Sequence, residues 1–271
     1  MVGKIAINKC GRIIITMEAK HIEQEASAPL LEKIAKEHEI KGLLIDLDNT
    51  VLHTSKYYVE TEKSLSFDLA EKFQSSISSE DFASTMSNIM RRQYLERNGK
   101  PILVTDRYMY ALEEYLGFDQ AQGYRDFVYD YLKDFCEVSP EIIDGALDVS
   151  RKIMELELPY VYTSNAQESW TLVKVKGFEE ELGVEDIKYN AIDIDKVKNE
   201  NDWAQSTEII EVPIENSLII GDSLDADILA GVKAGCRNFV WIGGNLEKLP
   251  LEIREDNNIH IWCVASIKDL L

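Results

Sequence analysis

Two aspartates one residue apart, Asp46 and Asp48, follow directly on the apolar run Leu43-Leu44-Ile45. Such a run reads as a buried strand, and carboxylates at its carboxyl end stand where open α/β sheets bind their ligands. The chemistry open to them is acid–base catalysis, nucleophilic attack by a carboxylate, or coordination of a hard cation. A calcium loop of the D-x-D-x-[DN]-G kind does not fit. Its sixth position would be Val51 rather than Gly, and its twelfth Tyr57 rather than Glu. A reading in which both aspartates only cap the next turn stays open on these residues alone. Asn49 and Thr50 start the turn away from the strand.

Three later segments bear on that choice. Tyr160-Val161-Tyr162-Thr163-Ser164-Asn165 is a second apolar run ending in hydroxyls and an amide. Lys198 follows, and Leu218-Ile219-Ile220-Gly221-Asp222-Ser223-Leu224-Asp225-Ala226-Asp227 is a third strand ending in acids. In order and spacing, these four segments resemble motifs I to IV of the haloacid dehalogenase (HAD) superfamily, whose members are mostly phosphatases despite the name. The resemblance covers the chain from Leu43 to its end.

The resemblance implies a role for each residue. Asp46 would attack phosphorus to give an aspartyl-phosphate, and Asp48 would protonate the leaving alkoxide and then take the proton from the hydrolytic water. Ser164 and Asn165 would hold the phosphoryl oxygens, and Lys198 would balance their charge. Mg²⁺ would be held by Asp46, the main-chain carbonyl of Asp48, Asp222 and Asp227. The physical need is plain: a phosphate dianion and a carboxylate nucleophile repel each other until a cation neutralises part of the charge. The family's lysine is commonly followed by Pro, whereas Asn199 follows here, and Lys196 lies close enough to compete. Asp225 reads as a favourable charge at a helix N-terminus and His53 as a polar contact at the cleft rim.

Asp48 also bears on the reaction class, because family members that cleave carbon–halogen bonds lack an acid there. The expectation is a Mg²⁺-dependent phosphomonoester hydrolase acting on a small phosphorylated metabolite such as a nucleotide or sugar phosphate, with a slight leaning to the pyrimidine nucleotidase branch. The alternatives are a phosphomutase of the β-phosphoglucomutase kind and a non-catalytic phosphate-binding or scaffold protein on the same fold.

The elements that must position these residues alternate. A helix opened by Ser139-Pro140, with the stripe Ala146, Val149, Ile153 and Leu156, precedes the Tyr160 strand. Further strands follow at Leu218–Ile220, Phe239–Ile242 and Ile259–Trp262. This predicts an α/β fold with a Rossmann-like, doubly wound, mostly parallel sheet. Between Thr54 and Cys136 helical periodicity takes over, and nine of the chain's 12 tyrosines fall there, read as a helical core more than as a stacking surface. The predicted division is an accessory hairpin and helix over 1–41, an α/β core over 42–53 plus 137–271, and a helical C1-type cap over 54–136. The hairpin joins KIAIN to RIIITM through Lys9-Cys10-Gly11. The next helix opens at Ser27 and Pro29 and stops at Gly42. Cap arginines Arg91, Arg92, Arg97 and Arg107 are candidates to reach substrate.

Composition narrows the partners. A net charge of −20, from Asp+Glu 49 against Lys+Arg 29, opposes nonspecific binding to nucleic acid polymers or anionic membranes. An anionic substrate therefore needs local cations. Cys10, Cys136, Cys236 and Cys263 lack metal-type spacing, and no apolar run is long enough to cross a bilayer. With no signal-like start, these features predict free thiols in a cytoplasmic protein. The sequence carries no reading of the oligomeric state.

Overall fold

The chain begins with β1 (Lys4–Ile7) and β2 (Ile13–Thr16), paired antiparallel with Lys4 opposite Thr16 and Ile7 opposite Ile13. The computed structural model describes residues 4–7, 13–16, 28–73, 77–194 and 196–271. The Lys9-Cys10-Gly11 turn and Ser27 lie outside them. Helix α1 (Leu30–Glu37) follows Pro29 and buries Leu31 and Ile34. It ends before Gly42, at a turn where Glu39 takes a left-handed φ of 51°, and Gly42 itself begins the next strand.

Six strands form the main sheet: β3 (Gly42–Asp46), β4 (Tyr160–Ser164), β5 (Tyr189–Ala191), β6 (Ser217–Gly221), β7 (Asn238–Ile242) and β8 (His260–Val264). All are parallel, in the order β5-β4-β3-β6-β7-β8. The order reverses between β3 and β6, which creates the crevice at which doubly wound sheets take ligands. Strands in such a sheet are covered on both faces, so β3 reads as an unbroken apolar run. Leu43 and Ile45 pack with Tyr162, Ile220 and Val240 on one side. Leu44 packs with Val161, Ile219 and Phe239 on the other.

Helices α2 (Thr54–Phe73), α3 (Ser79–Glu96), α4 (Val104–Leu116), α5 (Phe118–Gln122) and α6 (Arg125–Leu132) follow β3. They pack about their own cluster, with Leu65, Leu69, Phe82, Met86, Tyr108 and Leu112 fully buried. This cluster takes in Ala166 and Trp170 from the α/β part. The chain enters and leaves the helical unit at adjacent points. His53 N donates to Glu141 O at 2.7 Å, Ile143 N donates to Val51 O at 2.8 Å, and Leu52 bridges Ile142.

Those pairings explain a departure from the predicted helix at Ser139-Pro140. The segment before Gly145 gives its backbone to the Val51–His53 loop, so α7 (Ala146–Glu155) starts only at Ala146. Gly145 makes the break, at φ 84°, where a side chain would run into Lys268. After β4, helix α8 (Glu168–Leu182) covers the α1 and α7 side through Val175 and Phe178. Helix α9 (Glu200–Ile210) and the short α10 (Ala230–Ala234) pack on the opposite side, and α11 (Leu251–Arg254) precedes β8. Among the described residues no helix is long and apolar enough to cross a membrane, and Cys136, Cys236 and Cys263 are free thiols.

Candidate active site

Asp46 ends β3 and Asp222 follows directly on β6, its parallel neighbour, so the two carboxyls straddle the point where strand order reverses. Asp46 is buried at 4% exposure. Lys198 Nζ donates to Asp46 Oδ1 and lies 2.6 Å from Asp227 Oδ1. Lys196 points elsewhere, to Asp202 Oδ1 at 2.6 Å.

Several buried charges share this small volume, and each shifts the others. Burial is the largest influence on Asp46 and pushes its carboxyl well above the ordinary range. The Lys198 charge opposes this, while Asp227, Asp222 and Asp48 add to it. Burial and then Asp227 push Asp222 up to about 7. Lys198 is disfavoured by burial, but Asp227 and Asp46 more than compensate and raise its pKa.

Asp48 sits in a different environment. Its Oδ1 accepts from Thr54 Oγ1 at 2.7 Å and Lys174 Nζ at 2.5 Å, and its Oδ2 accepts from Ser164 Oγ at 2.5 Å. Burial works against its charge, but Lys174 and these hydrogen bonds outweigh it and hold the carboxyl below its usual range. The Ser164 hydroxyl is thus committed to Asp48. The Asn165 amide is committed to the loop that delivers Lys198. Its Nδ2 donates to the carbonyls of Ile192, Asp193 and Lys196, and its Oδ1 accepts from Lys198 N. Asn49, in a left-handed turn at φ 62°, accepts from Ser55 N at the start of α2.

Beyond β6 the backbone makes a single π-helical turn, Leu224–Leu229, in which Ile228 N reaches back to Ser223 O. Turns of this kind recur at functional sites. Here the turn sets Asp227 under the strand end, where its Oδ2 accepts from Ser223 N at 2.8 Å. A Cβ on Gly221 would collide with that carboxylate, so the close approach requires glycine. Asp225 is exposed and His53 is only partly buried. Asp46, Asp222 and Asp227 each offer a carboxylate oxygen, and the three oxygens lie within 4.8 Å of one another.

These side chains open into a cavity of about 580 Å³. Asp46, Asp48, Asn165, Lys198 and Asp222 line its inner end, and α2, α3 and the loop before α4 supply Tyr58, Glu62, Tyr94 and several cations. Most tyrosines of the helical unit pack within it. Tyr108, for example, is fully buried against Ser66.

The HAD-hydrolase-like family model matches residues 201–259, which hold α9, β6, the π turn and β7. No curated protein sequence matches the chain. Solved structures similar to it include YfnB from Bacillus subtilis, described as of the HAD-hydrolase kind and bound to magnesium. The TM-score is 0.59 at 18% identity, covering 85% of this chain and 96% of that one. A protein assigned as a β-phosphoglucomutase from Thermotoga maritima gives 0.56 at 15% identity over 86% and 97% of the two chains. A 2-haloacid dehalogenase from Pseudomonas syringae gives 0.52 at 17% over 85% and 96%. Over residues 201–259 the chain matches the HAD-hydrolase-like family, and over most of its length it shares the fold of these structures.

Within that fold, one buried group lies outside the four motif segments. Lys174, on α8, is 0% exposed, bonded to Asp48 and 3.4 Å from Ser164 Oγ, with its ammonium 3.8 Å from the Trp170 ring centroid. A signal was present in the sequence. Trp170, Lys174 and Phe178 recur every four residues, so the lysine lies on the stripe that the helix buries. A lysine there needs a carboxylate partner.

Proposed function

We propose that the chain is a Mg²⁺-dependent phosphomonoester hydrolase acting on a small phosphorylated metabolite. The observation that carries this reading is Asp48: a second carboxylate at the cavity, two residues beyond Asp46 and held ionised by Lys174. A halide needs no proton on departure, whereas an alkoxide does, so this acid has work only in cleavage of an ester.

The donor set suits Mg²⁺, a hard cation that takes oxygen ligands. Asp46 and Asp222 carry carboxyls raised by burial and mutual repulsion, a strain that a divalent cation relieves. Asp46, Asp222 and the main-chain carbonyl of Asp48 would hold it. Asp227 anchors the arrangement through Lys198 and Ser223 N. When bound, the ion supplies charge neutralisation at the phosphoryl oxygens. In this reading Asp46 attacks phosphorus and becomes an aspartyl-phosphate. Lys198, already at Asp46, balances phosphoryl charge. Asp48, ionised while Lys174 holds it, turns from Lys174 and Ser164 toward the substrate, takes up the proton of the phosphate monoanion, passes it to the leaving oxygen and then accepts the proton of the hydrolytic water. The Ser164 hydroxyl, freed by that rotation, turns to a phosphoryl oxygen, and Asn165 keeps Lys198 in place. Residues 54–136 act as the cap that excludes water and meets the leaving group.

The test is Asp48→Asn assayed on two substrate types. The rate on alkyl phosphates should fall about 10²–10⁴-fold and the rate on an activated aryl phosphate much less, because only the alkoxide needs the proton. Equal losses on both would remove Asp48 from that role.

A further inference from the structure

Six cations and four acids line the cavity. Three of the cations are matched within the wall: Lys198 by Asp46, Lys174 by Asp48, and Arg107 by Glu62, whose Oε1 lies 3.1 Å from Arg107 Nε. Asp222 is left for the metal. Arg91, Arg97 and Lys100 make no ion pair among the described residues. Many basic side chains of the described residues lack an ion pair, and what sets these three apart is that they share one cavity wall with the strand-end site. Arg92, next in sequence and absent from the cavity wall, pairs with both Glu96 and Glu114. The three unmatched cations come from α3, its C-terminal cap and the following loop. The strand ends that must meet the phosphoryl group lie on the other structural unit. The Arg97 guanidinium lies 5.2 Å from the Tyr110 ring centroid, a contact that helps fix its direction.

We propose that Arg91, Arg97 and Lys100 form an anion subsite for the leaving group, so that the substrate is a phosphomonoester bearing a second anionic group, a carboxylate or a second phosphate. The inference rests on the hydrolase reading for the fate of the first phosphate. Charge at the strand ends is answered by Lys198 and the metal, and three further cations in one cavity match a further negative charge on the ligand. The cavity volume suits a ligand of metabolite size, for which sites span roughly 300–1,000 Å³.

The experiment is calorimetric binding, in Mg²⁺, of three phosphonates of equal chain length: propylphosphonate, 3-phosphonopropionate and propane-1,3-bisphosphonate. The wild-type protein should bind one or both of the doubly anionic compounds about tenfold tighter than propylphosphonate, the factor that three charge contacts of ordinary strength supply together. The variant R91Q/R97Q/K100Q should lose that preference, and Arg92→Gln should keep it. Which compound gains identifies the second anion as carboxylate or phosphate. Equal affinities in the wild type, a preference that survives the triple substitution, or no binding of any of the three overturns the subsite. Aryl phosphate hydrolysis is followed separately. If it is absent while the binding preference holds, the hydrolase reading fails and the subsite stands. If hydrolysis proceeds without the preference, the reverse is true.

Discussion

Replacing Lys174 with Met removes the one cation that Asp48 touches and leaves a carboxylate in the site with only the Thr54 and Ser164 hydroxyls. Breaking a buried ion pair in this way costs about 3–5 kcal/mol. Asp48 keeps two hydrogen bonds, and its side chain is 20% exposed, which places the cost at the lower end, about 3 kcal/mol. For a chain of this size that lowers Tm by roughly 6–12 °C. The sign of the pH dependence follows from the direction of the shift. Because the folded-state pKa of Asp48 is depressed, the pair stabilises the protein above the unfolded value of 3.8, and that stability is lost as pH falls through the folded value. In Lys174→Met the buried carboxyl escapes its penalty by taking a proton, so the gap between wild type and variant should narrow from neutral pH toward about 4. Urea melts at several pH values measure this directly. Adding Asp48→Asn to Lys174→Met should recover about 2 kcal/mol, since the uncompensated charge is gone. A variant within about 0.5 kcal/mol of wild type at both neutral and acid pH, with no coupling in the double variant, would refute the electrostatic account of the site.

Asp46→Asn should abolish turnover while leaving the urea midpoint close to that of wild type; retained activity would show that Asp46 is not the nucleophile. Chelation of divalent ions should stop hydrolysis, with Mg²⁺ restoring it fully and Ca²⁺ poorly because of its looser coordination; full activity in chelator would exclude the metal from the reaction. Asp222→Ala should raise the Mg²⁺ concentration needed for half-maximal rate far more than Asp225→Ala, whose carboxylate is exposed, and the reverse order would contradict the site geometry. Glu62 has its carboxyl pushed up from 4.5 to about 7, chiefly by burial and despite Arg107, so the folded protein holds this proton more tightly than the unfolded chain does. Stability relative to Glu62→Gln should therefore fall as pH rises from about 4.5 to about 7 and level off above, and a flat difference across that window in urea melts would show that Glu62 is not strained.

The strand ends were legible because buried parallel strands are apolar throughout, so the polar residue that ends each run is conspicuous. Asp46, Ser164 and Asp222 were found in this way. Lys198 could be placed near them, but its preference over Lys196 depends on Asn165 drawing three carbonyls of the loop together, a long-range contact with no local trace. Strand β5 is three residues long and carries Asn190, which is buried only because Asp202 O and Ser206 satisfy its amide, so neither length nor polarity marked it as a strand. The extended path before Gly145 was hidden for a similar reason. Its backbone partners, the Val51 carbonyl and the His53 N–H, lie across the helical unit in sequence. Lys174 is marked only weakly in sequence, since a lysine on an apolar stripe looks like a flaw in the pattern until the carboxylate it answers is known.

The paired crossing at Val51–His53 and Glu141–Ile143 makes residues 54–136 something like a cassette held at a single doorway. The doorway is built from backbone hydrogen bonds and the buried Leu52, which do not depend on what lies beyond it. A lineage can therefore rewrite the helices, lengthen them or exchange their charges while the strand-end aspartates keep their places in the sheet. If residues 54–136 meet the leaving group as proposed above, changes of substrate become changes to one contiguous stretch of gene, open to recombination as a block. Grafting another helical segment between His53 and Glu141 is the corresponding route to a redesigned specificity.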